Sequence, residues 1–159
     1  MSTRILIMVS TALAIGLLVV ILLFTNSQKK QDALVEENRK LEETVEILQE
    51  DNIQKFIERT RMVMSGELFI DYTDEDELRV FVFDERFYPD VDAIESSFEV
   101  YYAYRESETV KLLVAYHIDY LDASGKRISW VGVWSGNPAT WTIELRNGHY
   151  ILVDRTDFP

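Results

Sequence analysis

The sequence predicts an α+β protein in which an N-terminal transmembrane helix and a helical stalk precede a helix and an antiparallel β-sheet. Three observations predict this class: an uncharged apolar run near the N-terminus, a following stretch without glycine or proline, and a C-terminal part in which apolar residues alternate between turn signals. Four segments are expected, namely a cytoplasmic tail (1–4), a transmembrane helix (5–24), a helical or coiled-coil stalk (25–52) and an extracytoplasmic α+β domain (53–159).

The apolar run at residues 5–24 reads ILIMVSTALAIGLLVVILLF and contains no charged residue. A helix needs about 20 such residues to cross the hydrocarbon core of a bilayer. A cleaved signal peptide has a shorter apolar core followed by small residues, so we expect an uncleaved, single-pass anchor in the cell membrane. Basic residues are nearly balanced between Arg4 on one side and Lys29 and Lys30 on the other, and only the short N-terminal tail favours an exported C-terminal domain.

The stalk contains a heptad pattern. Leu34, Leu41 and Leu48 recur every seven residues, and with these at d positions Asn38 and Val45 occupy a positions. Leucine at d with asparagine at a is typical of a parallel two-stranded coiled coil, so these residues form a candidate homodimer seam. The remaining a positions are polar and acidic residues flank the seam, which leaves a single solvated helix as an open alternative.

The helix is expected to continue beyond Asn52. Ile53, Phe56, Ile57 and Met64 prolong one apolar face, which predicts that the same helix docks on the globular domain and ends near Gly66. An apolar face of this kind is typical of a helix that packs on a hydrophobic core.

Residues 71–77 read DYTDEDE, with five acidic residues that resemble a metal-binding loop. A calcium loop of the EF-hand type needs glycine at its sixth position and glutamate at its twelfth. Counted from the first aspartate, these positions hold Asp76 and Val82, so no metal site is predicted. We expect a helix start capped by Thr73 or Asp74, with a strand as the alternative. The helical face would contain Leu78, Phe81 and Val82.

Four or five antiparallel strands are predicted as a meander after this helix. Their ranges are 98–104, 110–120, 128–134, 141–145 and 150–153. The second is apolar on one face and partly apolar on the other, as expected of a central strand. Residues 122–125 predict a turn, and Asn147-Gly148 is a strong hairpin signal. Alternation places four side chains of the first strand on one face: Phe98, Val100, Tyr102 and Tyr104.

The closing segment IELRNGHYILVD, residues 143–154, is similar to the closing hairpin of the nuclear transport factor 2-like (cystatin-like) superfamily. A docking helix followed by long curved strands also resembles that fold, over roughly residues 53–157. The resemblance implies a cone-shaped domain with a pocket. It implies no catalytic residues, because this fold carries enzymes and scaffolds alike. Single-pass membrane proteins with such a domain recur in bacteria, among conjugation and type IV secretion assembly factors.

Candidate chemistry is confined to a few side chains. His117 and Asp119 share one face of the second strand, which permits a general-base pair if that face lines a pocket. Tyr102, Trp130 and Trp134 are candidates to line a ligand pocket with them. The more ordinary interpretation is a polar patch beside core aromatic residues. No phosphate loop, metal-ligand spacing or nucleophile motif occurs, so we predict no catalytic residue, metal or cofactor.

The formal net charge of −12 argues against nucleic-acid binding, because phosphates would be repelled. The apolar segment and the lack of a catalytic motif predict a membrane-anchored, non-enzymatic interaction or assembly module. The resemblance to the nuclear transport factor 2-like superfamily implies that it belongs to the bacterial cell envelope, with protein partners such as those of a secretion or conjugation-type complex. The alternative is a membrane-tethered small-ligand-binding or isomerase-like domain that uses the pocket of the cone.

Overall fold

The computed structural model describes residues 22–71, 75–86, 88–133 and 136–156 in full and residues 3–21 as helical backbone. Within these residues, helices precede an open antiparallel sheet, which confirms the predicted α+β class. The elements are α1 (Thr3–Leu48), α2 (Asp51–Met64), a 3-10 helix (Glu77–Phe81), β1 (Ala93–Glu106), β2 (Thr109–Leu121), β3 (Arg127–Val133), β4 (Ala139–Arg146) and β5 (His149–Thr156).

The chain divides into two compact units, residues 1–41 and residues 42–159. Among the fully described residues, no helix combines the length and the apolar character that crossing a membrane requires. The predicted transmembrane segment at 5–24 lies for the most part outside these residues, so it stays a prediction.

The residues of the proposed coiled-coil seam lie along α1. Leu34, Asn38, Leu41 and Val45 are all exposed, so they are accessible to a second helix. Leu48 differs, because it packs against the core of the 42–159 unit. The exposed part of the seam therefore ends at Val45.

Contrary to prediction, the helix is interrupted after Leu48, and α2 begins at Asp51. Glu50 has an extended conformation, and the side-chain amide Nε2 of Gln54 donates to the carbonyl of Leu48 across the break. The physical reason is that Ile47 and Ile53 are both buried in the core. Six residues apart on one straight helix, they would lie on different faces, so both reach the core only if the chain turns between them.

The helix α2 ends as predicted. The N–H of Gly66 donates to the carbonyl of Val63 at 3.1 Å, just after the last helical residue. The buried side of α2 contains the expected apolar residues and two more positions; it consists of Ile53, Phe56, Ile57, Thr60, Val63 and Met64.

The strand β2 is the centre of the sheet. β1 pairs with it along one side, whereas β4 pairs with residues 109–114 and β3 with residues 116–121 on the other side. The predicted meander is therefore wrong at one step, since β4 pairs with β2 and β5 rather than with β3. The seven-residue β3 is too short to cover the thirteen-residue β2, and β4 occupies the part of that side that β3 leaves open.

One side of the sheet, here called the core face, is buried along the central strand β2. Along β2 it comprises Val110, Leu112, Val114, Tyr116, Ile118 and Tyr120, each at most 5% exposed. The buried side of α2 and the 3-10 helix pack on it in a single hydrophobic cluster. At its centre Trp141 is 0% exposed, and its ring lies 5.1–5.6 Å from the rings of Phe81, Phe98 and Tyr116.

A β-bulge in β1 corrects the predicted face of the first strand. The pairing with β2 shifts between Val100 and Tyr102, which leaves Tyr101 as an extra residue. Before the bulge Phe98 lies on the core face, but after it Ala103 does, at 0% exposed. Tyr102 and Tyr104 therefore lie on the opposite side of the sheet from Phe98.

The acidic run does begin a helix, although the cap is a residue other than the expected one. Asp76 caps the 3-10 helix by accepting from the N–H of Leu78 at 3.0 Å, while Thr73 and Asp74 lie outside the described residues. The same carboxylate accepts from the N–H of Leu152 in β5 at 3.1 Å and forms an ion pair with Arg59 of α2. Asp76 is 0% exposed, so it joins three elements inside the domain.

Candidate functional site

The candidate site lies on the side of the sheet opposite to the core face, here called the outer face. It is formed by the residues that alternate with the core residues along β1, β2, β3 and β4. Its main side chains are Tyr102, Tyr104, Leu113, Ala115, His117, Asp119, Trp130 and Thr142. Most of them are half-buried, whereas Trp130 is exposed and Thr142 is buried.

The structure brings His117 and Asp119 into contact on the outer face. The imidazole Nε2 lies 2.9 Å from the Oδ1 of Asp119, and the two side chains are 24% and 21% exposed. Nη1 of Arg127, on β3, lies 3.3 Å from the same carboxylate oxygen. The carboxylate is thus shared between an imidazole and a guanidinium group at the water-accessible side of the sheet.

Two residues of β3 shape the surroundings of His117. Gly132 lies directly opposite His117, and a Cβ atom there would be 2.5 Å from the carbonyl oxygen of Tyr116 and 3.1 Å from Nδ1 of the imidazole. Only glycine fits this approach. Trp130 lies opposite Asp119, and its ring centroid is 5.7 Å from that of His117 at an angle of 31°.

Tyr102, another predicted ligand-binding residue, lies elsewhere on the outer face. Tyr102 pairs opposite Leu113, four residues along β2 from His117, which corresponds to about 13 Å. Its ring instead contacts Tyr104, with centroids 5.6 Å apart. Trp134 lies outside the described residues. The outer face therefore presents two separate groups, His117–Asp119–Trp130 and Tyr102–Tyr104. They do not form the single ligand pocket that the sequence predicted.

Chemically, the His117 group can exchange a proton and can present the face of an indole ring. The interior on the core face is filled by Trp141 and its aromatic neighbours. A ligand of the His117 group would therefore lie against the water-accessible side of an open sheet. Sequence reasoning identified His117 and Asp119 but missed Arg127 and Gly132. Both are recognisable only from the β2–β3 register, since neither forms part of a motif.

Comparisons with known proteins do not assign the chain to a family. No protein-family model matches the chain, and neither the curated proteins nor the solved structures contain a significant match.

Proposed function

We propose that this chain is a membrane-anchored, non-enzymatic interaction module of the bacterial cell envelope, which binds a protein partner through the outer face of its sheet. The observation that carries the proposal is the exposure of large apolar side chains on β3, where Trp130 is 46% and Ile128 44% exposed. Aromatic residues are enriched at the centres of protein interfaces. Neither side chain belongs to the buried hydrophobic core, so both are available to contact a partner.

The filled interior also supports a binding module over an enzyme. An active site in the cone would need space on the core face, but Trp141, Phe81, Phe98 and Tyr116 pack ring against ring there. On the outer face, Asp119 already contacts Arg127 as well as His117, so its charge is partly compensated. This arrangement is typical of a surface polar group.

The anchor is part of the proposal. Residues 5–24 are apolar in sequence and their backbone is helical, which is the conformation that a single-pass span requires. We propose that this segment crosses the cell membrane, that residues 42–159 are extracytoplasmic, and that Leu34, Asn38, Leu41 and Val45 form a dimer seam.

The resemblance to the nuclear transport factor 2-like fold supports an assembly role in a secretion or conjugation-type complex. The β1 bulge supports the cone shape that this resemblance implies, because bulges bend a strand.

The test is capture of partners by tagged full-length protein from detergent-solubilised membranes, read by quantitative mass spectrometry. Trp130→Ser should lose the specific partner, whereas Leu145→Ser should keep it, because Leu145 is a comparably exposed apolar residue at 51% on β4. Both variants should unfold at nearly the wild-type temperature. Equal capture by the two variants would exclude the outer face as the binding surface.

A small-ligand-binding or isomerase-like function is the second candidate, favoured by the 2.9 Å contact of His117 with Asp119 beside Trp130. The variant His117→Gln in a complementation assay distinguishes this second function from the interaction module. An acid–base function requires loss of activity at unchanged stability and unchanged partner capture. If the protein is an interaction module, we expect the variant to complement.

A further inference from the structure

A cleft of about 500 Å³ lies between α2 and the first half of β1, at the edge of the sheet. Glu58, Met62 and Glu67 line one wall, and Ser96, Ser97 and Glu99 line the other. One wall is thus a helix and its C-terminal turn, and the other is the edge of a β-sheet.

The strand β1 is an edge strand, since β2 is its single strand neighbour among the described residues. The far end of this edge is covered by the last turns of α1. Oγ1 of Thr44 donates to the carbonyl of Ala103 at 3.0 Å and accepts from its N–H at 3.3 Å, and Glu43 accepts from the N–H of Arg105 at 3.4 Å. These contacts prevent strand addition beyond the bulge.

The near end of the same edge borders the cleft. The carbonyl of Phe98 is directed away from β2, and its contact with Nη2 of Arg61 is long, at 3.4 Å. Because backbone groups alternate in direction along a strand, Ile94 and Ser96 direct their N–H and C=O groups to the same side as Phe98. Residues 94–98 therefore present main-chain donors and acceptors to the cleft.

We propose that the cleft binds an extended basic peptide segment, which adds to the sheet as a strand along residues 94–98. Strand addition to an exposed edge takes its affinity from main-chain hydrogen bonds and its specificity from alternate side chains. The helix α2 provides the second wall. Met62, 37% exposed, offers an apolar contact for one peptide side chain.

The charge of the cleft determines the partner. Glu99 is exposed on β1, and Glu58 and Glu67 lie on the helical wall, against one basic residue, Arg61. Neither Glu58 nor Glu67 forms an ion pair with any part of the chain that the structure describes. Lysine or arginine at alternate peptide positions would lie beside these carboxylates, so the expected partner alternates basic and apolar residues.

A second copy of this chain fits the edge poorly. Antiparallel pairing of two β1 strands about Ser97 would place Glu95 of each copy opposite Glu99 of the other. Directly opposed like charges destabilise a sheet pair. Charged residues on edge strands are a common protection against self-association, and here they also favour a basic partner.

The test uses the full-length protein in detergent and a fluorescein-labelled peptide, Lys-Val-Lys-Val-Lys-Val-Lys, with binding followed by fluorescence anisotropy. The matched peptide Lys-Val-Lys-Pro-Lys-Val-Lys keeps the charge but cannot form a regular strand. We expect saturable binding of the first peptide, at least about tenfold weaker binding of the second, and a decrease at high salt. Equal binding of the two peptides, or no binding of either, would overturn the proposal.

Two variants locate the binding. Ser96→Pro removes an N–H that is directed away from β2, so the sheet pairing is retained while strand addition is blocked. Glu58→Lys reverses a charge at the cleft, and its control Glu108→Lys makes the same change at the exposed β1–β2 turn. We expect Ser96→Pro and Glu58→Lys to weaken binding about tenfold or more and Glu108→Lys to leave it nearly unchanged. Equal affinities of Glu58→Lys and Glu108→Lys would place the peptide elsewhere.

The proposal does not depend on Trp130. Trp130→Ser should bind the peptide like the wild type, and its loss of partner capture would be a separate result. If the peptide requires Trp130 but tolerates Glu58→Lys, the cleft is not its binding site.

Discussion

The two faces of β2 lie in very different environments. The core face has apolar and tyrosine side chains that are at most 5% exposed, while the alternate residues from Thr109 to Leu121 are half-buried and include charged side chains. Aromatic rings occur on both sides of the sheet, so aromatic residues by themselves do not distinguish its two sides. The difference comes from what packs above each face, because α2 and the 3-10 helix contribute their apolar residues to the core face.

Two tryptophans illustrate this difference. Trp141 is 0% exposed and contacts three aromatic rings, whereas Trp130 is 46% exposed and contacts His117. Both residues looked equivalent in the sequence, where each lies in a predicted strand. We infer that the first tryptophan stabilises the fold and that the second is available for binding.

Two aspartates differ in the same way. The carboxylate of Asp76 is fully buried and accepts from two backbone N–H groups and Arg59. Asp119 is partly exposed and contacts His117 and Arg127 on the outer face. A buried charge that loses its partners is costly, but a charge near water can be solvated instead.

The largest effect should come from the tryptophans. Trp141→Ala should lower the free energy of unfolding by about 3–5 kcal/mol, because it leaves a cavity in the core. Trp130→Ala should change it by no more than about 0.5–1 kcal/mol. Chemical denaturation of the detergent-solubilised protein measures both values. Similar losses in the two variants would contradict the distinction between the faces.

The milder variant Trp141→Phe sharpens the same comparison. Among the described residues, Nε1 of Trp141 has no hydrogen-bond partner. Phenylalanine would remove this unpaired buried donor, so part of the packing loss should be offset. We expect a loss clearly smaller than that of Trp141→Ala.

The aspartates should rank next. Asp76→Ala leaves Arg59 and the N–H groups of Leu78 and Leu152 without their acceptor, and we expect a loss of about 3 kcal/mol. Asp119→Ala should cost less than about 1 kcal/mol, since its partners stay accessible to water. Thermal unfolding of both variants at neutral pH makes the comparison. A cost for Asp119 equal to that for Asp76 would show that the outer face contributes to folding.

A smaller effect is expected at Gly132. The alanine Cβ would lie 2.5 Å from a backbone oxygen, so β3 must move away from β2. Gly132→Ala should destabilise the domain by about 1–3 kcal/mol. The control Gly136→Ala has no atom within 4 Å of its new Cβ and should be nearly neutral. Equal stability of the two variants would mean that the close approach of β3 at His117 is not needed.

The smallest effect at neutral pH concerns Tyr120. Burial on the core face, and then the neighbouring Tyr88, raise the pKa of Tyr120. Since the folded form keeps its proton after the unfolded chain has lost it, near pH 10, stability should fall as pH rises above about 10. Tyr120→Phe should flatten this alkaline decline, measured by urea unfolding between pH 8 and about 11. An unchanged slope would assign the decline to other groups.

Local patterns in the sequence determined several elements by themselves. The apolar alternation of β2 fixed its buried face, since side chains of a strand alternate regardless of what packs on them. The Asn147-Gly148 pair determined the last hairpin, and both residues have the positive φ angles, 52° and 83°, that a tight two-residue turn requires. The α+β class followed from the order of such segments.

Tertiary structure alone decided the features on which the candidate sites depend. The bulge at Tyr101 moved Tyr102 and Tyr104 to the outer face, and the break after Leu48 turned the chain so that Ile47 and Ile53 both reach the core. The pairing of β4 with β2 and the cleft beside β1 involve residues far apart in sequence. Patterns of a few residues specify local conformation, whereas strand neighbours and register are selected by the packing of the whole domain.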